Sequence, residues 1–253
     1  MTQRVEHCEA STISEAWALV VGAPGPLDEG EKTLLLRGAK KTFDNLNEVP
    51  AFIIQKSRGE AIPAFWNTQA QWADSSQLAR FGHRFLSVHR VATAEHPYGS
   101  YQLGVGEPLG TWLGIASDAA EESYPVERTG FGYVNSFQFD SKDFDISRYF
   151  KLGLFLDLGE STPSIHALEA SFKFEKDDFL HQIQFSAEPQ SNQSVRVVTK
   201  VFVERTTKED LEIADRDRIL ESVVEAHETA KSAFFDFATK ETHTLMKAQY
   251  ASS

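Results

Sequence analysis

Apolar residues recur three or four positions apart near the end of the chain, which is the spacing of one face of an α-helix. We predict a long helix over 207–238. Thr207 and Asp210 stand three apart at its start, as in a capping box that satisfies the first free amides. Thr239 is predicted to cap a second, short helix. The apolar face of the long helix comprises Ile219, Val223, Ala226, Ala230, Ala233, Phe234 and Phe237.

Period-two alternation predicts strands through the rest of the chain, because successive strand residues face opposite sides of a sheet. The segment 125–139 predicts a central strand, and in 194–205 the odd-numbered residues from Val195 to Val203 form one apolar face. The last strands are separated by short polar turns, which is typical of an antiparallel meander. The other predicted strands are 14–21, 52–55, 65–73, 78–91, 151–158, 165–175 and 179–188.

Three shorter patterns complete the predicted elements. A helix is predicted at 28–46, another at 111–123, and a helical turn at 144–150. The glycine-rich segment 104–110 is interpreted as a plain turn, because its spacing fits neither a dinucleotide fingerprint nor a P-loop. In the strand at 14–21, Trp17, Leu19 and Val21 share one side.

Together these elements predict an α+β fold in which a largely antiparallel sheet packs against helices, the C-terminal helix being the longest. A long helix with one apolar face requires a hydrophobic surface to cover it, and the strands supply that surface. We predict two similarly organised halves, 1–124 and 125–253, an arrangement that is also compatible with one domain.

Composition and charge narrow the functional classes. The 253-residue chain is 41% hydrophobic with a net charge of −12, so its average surface repels nucleic acid and anionic lipid and favours a basic partner. A single cysteine, Cys8, excludes an internal disulfide framework. No segment reaches the roughly 20 apolar residues of a membrane span, and the first residues lack signal-peptide character. We therefore expect a cytoplasmic protein.

One local cationic segment departs from the acidic average. No acidic residue occurs over 75–94, where Arg80, Arg84 and Arg90 would share a face of an extended strand. One interpretation is a nucleic-acid contact stripe. The favoured interpretation is a solvated strand edge whose arginines pair with surface carboxylates.

Three residues are candidates for binding a small ligand. Tyr133 and Asn135 lie on the aromatic face of the central strand, and His227 lies on or beside the apolar face of the long helix. A buried amide needs hydrogen-bond partners, so a structural role for Asn135 is the favoured alternative. A structural role is likewise favoured for His227.

No catalytic or metal-binding constellation is predicted, and no cofactor. His227 has no second histidine at helical ligand spacing and no cysteine partner. His83 and His89 share a predicted face, but the sequence names no carboxylate partner for them. The carboxylates Asp140, Asp143 and Asp145 lack the glycine and closing glutamate of an EF-hand loop, which favours solvated loop carboxylates or helix N-caps.

Several of these features occur together in a known family. The Tyr-x-Asn strand is followed by a meander and by a terminal helix of the form His-x2-apolar-Lys-x2-Phe with a capping threonine. In this chain the helix positions are His227, Ala230, Lys231, Phe234 and Thr239. The chain resembles a sporadically distributed, functionally uncharacterised family of prokaryotic proteins. The resemblance implies an accessory role, such as defence, toxin neutralisation or mobile-element biology, and implies no reaction.

The leading functional expectation is a non-enzymatic interaction or regulatory protein that binds a protein partner, basic in character, or a second copy of itself. The alternative is a small-ligand-binding protein with a cavity between the sheet and the C-terminal helix, lined by Tyr133, Asn135 and His227. A weaker alternative is nucleic-acid contact through Arg80, Arg84 and Arg90.

Overall fold

The structure is a computed structural model, and it describes residues 5–8, 12–23, 29–43, 45–48, 51–54, 61–65, 67–71, 76–82, 84–120, 123–142, 144–151, 168–190, 193–207 and 211–250. Some sequence predictions lie outside these residues. They concern His83, Asp143, Asp210 and nearly all of the strand predicted at 151–158.

The described strands are β1 (Val5–Cys8), β2 (Ile13–Gly22), β3 (Asn45–Glu48), β4 (Ala51–Ile54), β5 (Ala61–Phe65), β6 (Asn67–Gln71), β7 (Gln77–Gly82), β8 (Phe85–Val91), β9 (Val126–Asp140), β10 (Leu168–Lys176), β11 (Phe179–Pro189), β12 (Ser194–Thr206) and β13 (Ala248–Tyr250). The described helices are α1 (Glu29–Thr42), α2 (Glu107–Ala119), α3 (Ile146–Tyr149), α4 (Arg216–Phe237) and α5 (Lys240–Leu245). A π-helical turn, Gln102–Gly106, leads directly into α2.

The predicted fold class is confirmed, because the chain is α+β with a nine-stranded antiparallel sheet. Its strand order is β10-β11-β12-β9-β2-β8-β7-β6-β3. Two further antiparallel pairs, β1 with β13 and β4 with β5, lie outside this sheet. No helix in the described ranges combines the length and the apolar character needed to cross a membrane.

The chain forms two compact units, each assembled from separated segments. The C-terminal unit comprises Met1–Ser14, Gly132–Val203 and His227–Ser253. The N-terminal unit comprises Glu15–Phe131 and Glu204–Ala226. The division falls within β9, and α4 contributes residues to both units.

The core of the N-terminal unit is built around Trp112 of α2. This side chain is fully buried and contacts Phe43, at 4.8 Å between ring centroids, and Phe81, at 4.4 Å. The alternating residues Ala16, Ala18 and Val20 of β2 are also buried. Small side chains at these positions let a helical layer approach a sheet closely, because no long side chain keeps the two backbones apart.

The core of the C-terminal unit is a cluster of phenylalanines centred on Phe150, which directly follows α3. Phe150 is 1% exposed, and its ring lies 5.6 Å from Phe137, 5.2 Å from Phe185 and 5.6 Å from Phe237. Two of these contacts are edge-to-face, the arrangement that aromatic quadrupoles favour. The Phe150 backbone also forms a β-bridge with Ala238, which fixes the end of α4 against α3.

The predicted meander is confirmed for β10, β11 and β12. In β12, Val197, Thr199, Val201 and Val203 are buried as the alternation predicts. The β10–β11 hairpin turns through Asp177 and Asp178, whose φ angles are 52° and 66°. Two successive left-handed residues make the two-residue turn whose twist matches that of the flanking strands.

The start of the long helix was predicted wrongly. The helix begins at Arg216 rather than at Thr207, because the chain first continues as strand and then bridges back to the start of β9. The Thr207 amide donates to the Glu127 carbonyl, and the Thr207 hydroxyl donates to the Val126 carbonyl. Thr207 therefore bonds to strand β9 and does not cap a helix. The short helix α5 does follow Thr239, but the Thr239 hydroxyl donates to the Arg148 carbonyl.

Three other local predictions are corrected. The single strand predicted at 78–91 is a hairpin, β7 and β8, that turns at Arg84 with a φ of 53°. Trp17, Leu19 and Val21 do share a face of β2, but that face is the half-exposed one. The glycine-rich segment 104–110 is helical rather than a plain turn, and Gly104 fits there because a Cβ would lie 3.3 Å from the Tyr98 ring.

The phenylalanine cluster generates a test of the core. We expect Phe150→Ala to lower the free energy of unfolding by about 3–5 kcal/mol, because it removes a fully buried ring and leaves a cavity. Leu245→Ala is the matched control in the same unit, since Leu245 is 49% exposed, and we expect a change within about 0.5 kcal/mol. Urea denaturation followed by circular dichroism measures both. Equal effects of the two substitutions would contradict the assigned core.

Candidate functional site

A groove opens in the C-terminal unit between the β10–β11 hairpin and the second half of α4. Its volume is about 570 Å³. The hairpin contributes Phe174, Lys176, Asp177, His181 and Ile183. The helix contributes Glu228, Thr229, Ser232, Ala233, Asp236 and Phe237.

His181 is the unusual residue of this groove. It is only 3% exposed, yet neither Nδ1 nor Nε2 has a hydrogen-bond partner among the described residues. Its ring stacks on Phe174, its cross-strand partner, with 4.9 Å between centroids and 5° between planes. The stack fixes the plane of the imidazole, so the two ring nitrogens have defined directions.

Burial lowers the pKa of His181 below its ordinary value, because desolvation disfavours the charged imidazolium. The nearby Lys176 backbone and the Asp177 carboxylate oppose this effect only in part, and the Lys176 backbone does not reach hydrogen-bonding geometry with either ring nitrogen. The ring is therefore neutral near pH 7, with one nitrogen as donor and the other as acceptor.

The groove walls are apolar and its rim is charged. Ile183, Ala233 and Phe237 line it together with Phe174, which keeps 41% of its surface exposed. The rim carries three carboxylates and one lysine in the groove lining: Asp177, Glu228, Asp236 and Lys176. The Glu228 carboxylate lies 3.1 Å from His227 Nδ1, and Lys151 Nζ donates to the backbone carbonyl of Asp236.

The ligand-binding trio predicted from the sequence is brought together only in part. The Tyr133 and His227 rings lie 5.7 Å apart, but Asn135 accepts a hydrogen bond from the Thr12 hydroxyl at 3.1 Å. Asn135 is 2% exposed, so this bond satisfies part of a buried amide, as expected if Asn135 has a structural role. None of the three lines the groove.

The arginine stripe does not form on one strand. Arg80 is exposed on β7, whereas Arg84 lies in the turn, donates to the Ala23 carbonyl and stands 4.8 Å from the centre of the Tyr124 ring. Arg90 is half-buried on β8 and donates to the Ser76 hydroxyl. The hairpin turn separates these residues, so the prediction of a shared face of one extended strand is wrong.

Two other sequence interpretations can be compared with the structure. Asp145 caps α3 by accepting from the Ser147 amide, and Asp140 accepts from the Lys142 amide, so both act as local loop carboxylates. Within the described part of the chain, no three His, Cys, Asp or Glu side chains come together as metal ligands.

The groove could have been found in part from the sequence. His181 stands at a core position of an alternating strand, since Phe179, Ile183 and Phe185 on the same face are buried. Ala233 and Phe237 belong to the predicted apolar face of the long helix, yet they remain half-exposed. Which stretch of helix faces the hairpin depends on tertiary packing, so the sequence alone does not bring these two sets of residues together.

Comparisons with known proteins identify no relative of this chain. No protein-family model matches the chain, and neither the curated proteins nor the solved structures contain a match to it.

The isolation of His181 predicts an unusual mutational effect. We expect His181→Phe to raise the free energy of unfolding by about 1–3 kcal/mol, because it keeps the stack and removes two buried nitrogens that have no hydrogen-bond partner among the described residues. His243→Phe is the matched control, since His243 Nε2 donates to the Phe235 carbonyl at 3.2 Å and its loss should destabilise. Urea denaturation at pH 7 compares them. A clear loss of stability in His181→Phe would show that His181 has a structural partner.

The lowered pKa of His181 also predicts a pH dependence. As the pH falls through about 6.5, the unfolded chain protonates this imidazole while the folded chain resists, so folding loses stability. We therefore expect the stability advantage of His181→Phe over the wild type to widen between pH 7.5 and pH 5.5 (about one unit either side of 6.5). Denaturation curves across this range measure the difference. A constant advantage would mean that folding leaves the pKa of His181 unchanged, and a narrowing advantage would mean that folding raises it.

Proposed function

We propose that the protein binds a small organic cation with an apolar body in the groove between the β10–β11 hairpin and α4. The observation that carries the proposal is His181, a buried and neutral side chain with both nitrogens unpartnered among the described residues, in the wall of an open groove.

A buried polar group without a hydrogen-bond partner lowers the free energy of unfolding by about 1–3 kcal/mol. His181 fills a core position of β11 where an apolar ring would pack equally well against Phe174. A ligand that supplies a donor or an acceptor to the imidazole accounts for a histidine here. Such a group would bond the imidazole only while the ligand is in the groove.

The size and the walls of the groove favour a small ligand with an apolar body. A volume of about 570 Å³ lies within the roughly 300–1,000 Å³ of small-molecule sites. Phe174, Ile183, Ala233 and Phe237 supply the apolar contact, while the Thr229 and Ser232 side chains add hydroxyls that can orient the ligand.

The charges of the rim favour a cation. Three carboxylates outnumber the lining lysine and Lys151, whose ammonium lies on the Asp236 backbone, so the groove keeps a negative charge that repels anionic ligands and attracts an ammonium group. The exposed surface of Phe174 adds a second contact for a cation, because an aromatic face attracts positive charge. A primary or quaternary amine attached to an aliphatic or aromatic body has both properties.

The other functions expected from the sequence remain proposals. A basic protein partner would suit the net charge of −12. The nucleic-acid alternative is the less favoured one, because its three arginines do not form a common face on a single strand.

A ligand screen by saturation-transfer NMR tests the proposal. We expect members of a small-amine library to bind with micromolar to millimolar dissociation constants, and matched carboxylic acids not to bind. Ala233→Trp should abolish binding by filling the groove, and His181→Phe should weaken it at least about tenfold through the lost hydrogen bond. Val224→Trp is the control, because Val224 is 42% exposed on the same helix and does not line the groove.

Three outcomes would contradict the proposal. They are equal binding of acids and amines, amine binding that survives Ala233→Trp, and the absence of any binding. Native mass spectrometry of the protein purified from its own host distinguishes binding of a protein partner from binding of a small ligand. A stoichiometric added protein mass that persists in Ala233→Trp would favour the interaction function and would place it outside the groove.

A further inference from the structure

A hydrogen-bonded relay of serine, histidine and glutamate lies in the N-terminal unit, away from the groove. The Ser87 hydroxyl is 2.9 Å from His89 Nε2, and His89 Nδ1 is 2.7 Å from a carboxylate oxygen of Glu15. The three groups thus stand in the order nucleophile, base and acid, with each nitrogen of the imidazole engaged by one neighbour.

Two neighbouring strands, β8 and β2, bring the three side chains together on one face of the sheet. Ser87 and His89 are two residues apart on β8, so their side chains share one face of the sheet. On the neighbouring strand β2, Trp17 pairs with His89 in register, and Glu15 lies two residues before Trp17 on the same face. The Trp17 ring lies nearly parallel to the His89 ring, with 6.3 Å between centroids and 16° between planes, so it flanks the imidazole on this face.

In a neutral His89, the hydrogen bonds define which ring nitrogen carries the proton. A carboxylate only accepts, so the Glu15 oxygen takes the Nδ1 proton of a neutral imidazole. Nε2 is then the acceptor, and the Ser87 hydroxyl is the donor that points at it. This tautomer makes His89 a base aimed at the serine oxygen.

Burial distinguishes this relay from a surface network. Ser87 is 3% exposed and His89 is 8% exposed, whereas the Glu15 side chain keeps 36% exposure. Exclusion of water strengthens the hydrogen bond between the imidazole and the serine hydroxyl. An acyl donor reaches Ser87 only after a neighbouring side chain moves, and Trp17 and Arg80, which flank the relay on this face, are both partly or wholly exposed.

Arg80 adds a cation where negative charge would develop. It is the cross-strand partner of Ser87 on β7, so both side chains lie on the same face, and it is exposed. A guanidinium beside the serine can stabilise the oxyanion that forms when a hydroxyl attacks a carbonyl. Another buried serine of the unit, Ser222, bonds Thr129 and Arg205 and has no histidine partner in the described hydrogen bonds.

We infer that Ser87 is an activated nucleophile and that the relay catalyses acyl transfer from carboxylic esters to water. Ser87 Oγ attacks the ester carbonyl while His89 Nε2 takes its proton, and the carbonyl electron pair moves to the oxygen beside Arg80. Collapse of this adduct expels the alcohol, which receives the proton from His89. Water then attacks the acyl-serine by the same route, releasing the carboxylic acid and restoring the hydroxyl. Ser87 and His89 are the catalytic residues, and Glu15 is a positioning residue.

Labelling with a small alkyl fluorophosphonate tests the inference on the full-length protein. We expect one covalent adduct by intact mass, mapped to Ser87 by peptide mass spectrometry. Ser87→Ala should abolish labelling and His89→Gln should slow it about 100-fold, the scale of a lost general base. Ser222→Ala is the control for a buried serine without a base and should label like the wild type.

The role of Glu15 needs its own readout. We expect Glu15→Ala to slow labelling, because the Nδ1 proton of His89 loses its acceptor, and Glu15→Gln to recover part of the rate, because a side-chain amide oxygen can still accept that proton. Circular dichroism confirms that each variant is folded. Wild-type protein that takes no adduct, an adduct on another residue, or labelling unchanged in His89→Gln would overturn the inference. The first two outcomes are measured on the wild-type protein alone, so they do not depend on whether a variant folds.

Discussion

The structure depends on the need to bury the apolar stripe of α4. Ile219, Val223, Ala226 and Ala230 have no exposed surface, so the stripe is fully covered over these turns. Farther along, Ala233 and Phe237 belong to the same apolar face but stay half-exposed. The groove occupies this incompletely covered end, with the β10–β11 hairpin as its opposite wall. One amphipathic helix therefore supplies core contacts along most of its length and a binding wall at its end.

Much of the fold could be predicted because the relevant signals are local. Alternation gave β9 and β12 their buried faces, and helical spacing gave α4 its stripe. The errors occurred where tertiary contacts overrode local preference. Thr207 pairs with the start of β9 instead of capping a helix, and a positive φ at Arg84 makes the turn that divides 78–91. The buried side of β2 carries alanines, because close approach of backbones mattered there more than side-chain size.

The candidate sites were less predictable than the fold. The sequence shows that Tyr133 and Asn135 share a face of a regular strand, but it does not show that Asn135 bonds Thr12, which lies 123 residues away. His181 and His89 each sit at an ordinary strand position. His181 is distinguished by having no hydrogen-bond partner in the described part of the chain, and His89 by its contact with Glu15. Each feature depends on the register of neighbouring strands.

The pairing of β1 with β13 has a consequence for the order of folding. The two strands are separated by nearly the whole described chain, and their contact closes the longest loop of the structure. Loop closure costs conformational entropy that short strands with few contacts cannot offset while the chain between them is unfolded. The pair can gain stability only once the C-terminal unit has brought its ends together. We therefore expect this pair to form late in folding and to open before the core of the unit does.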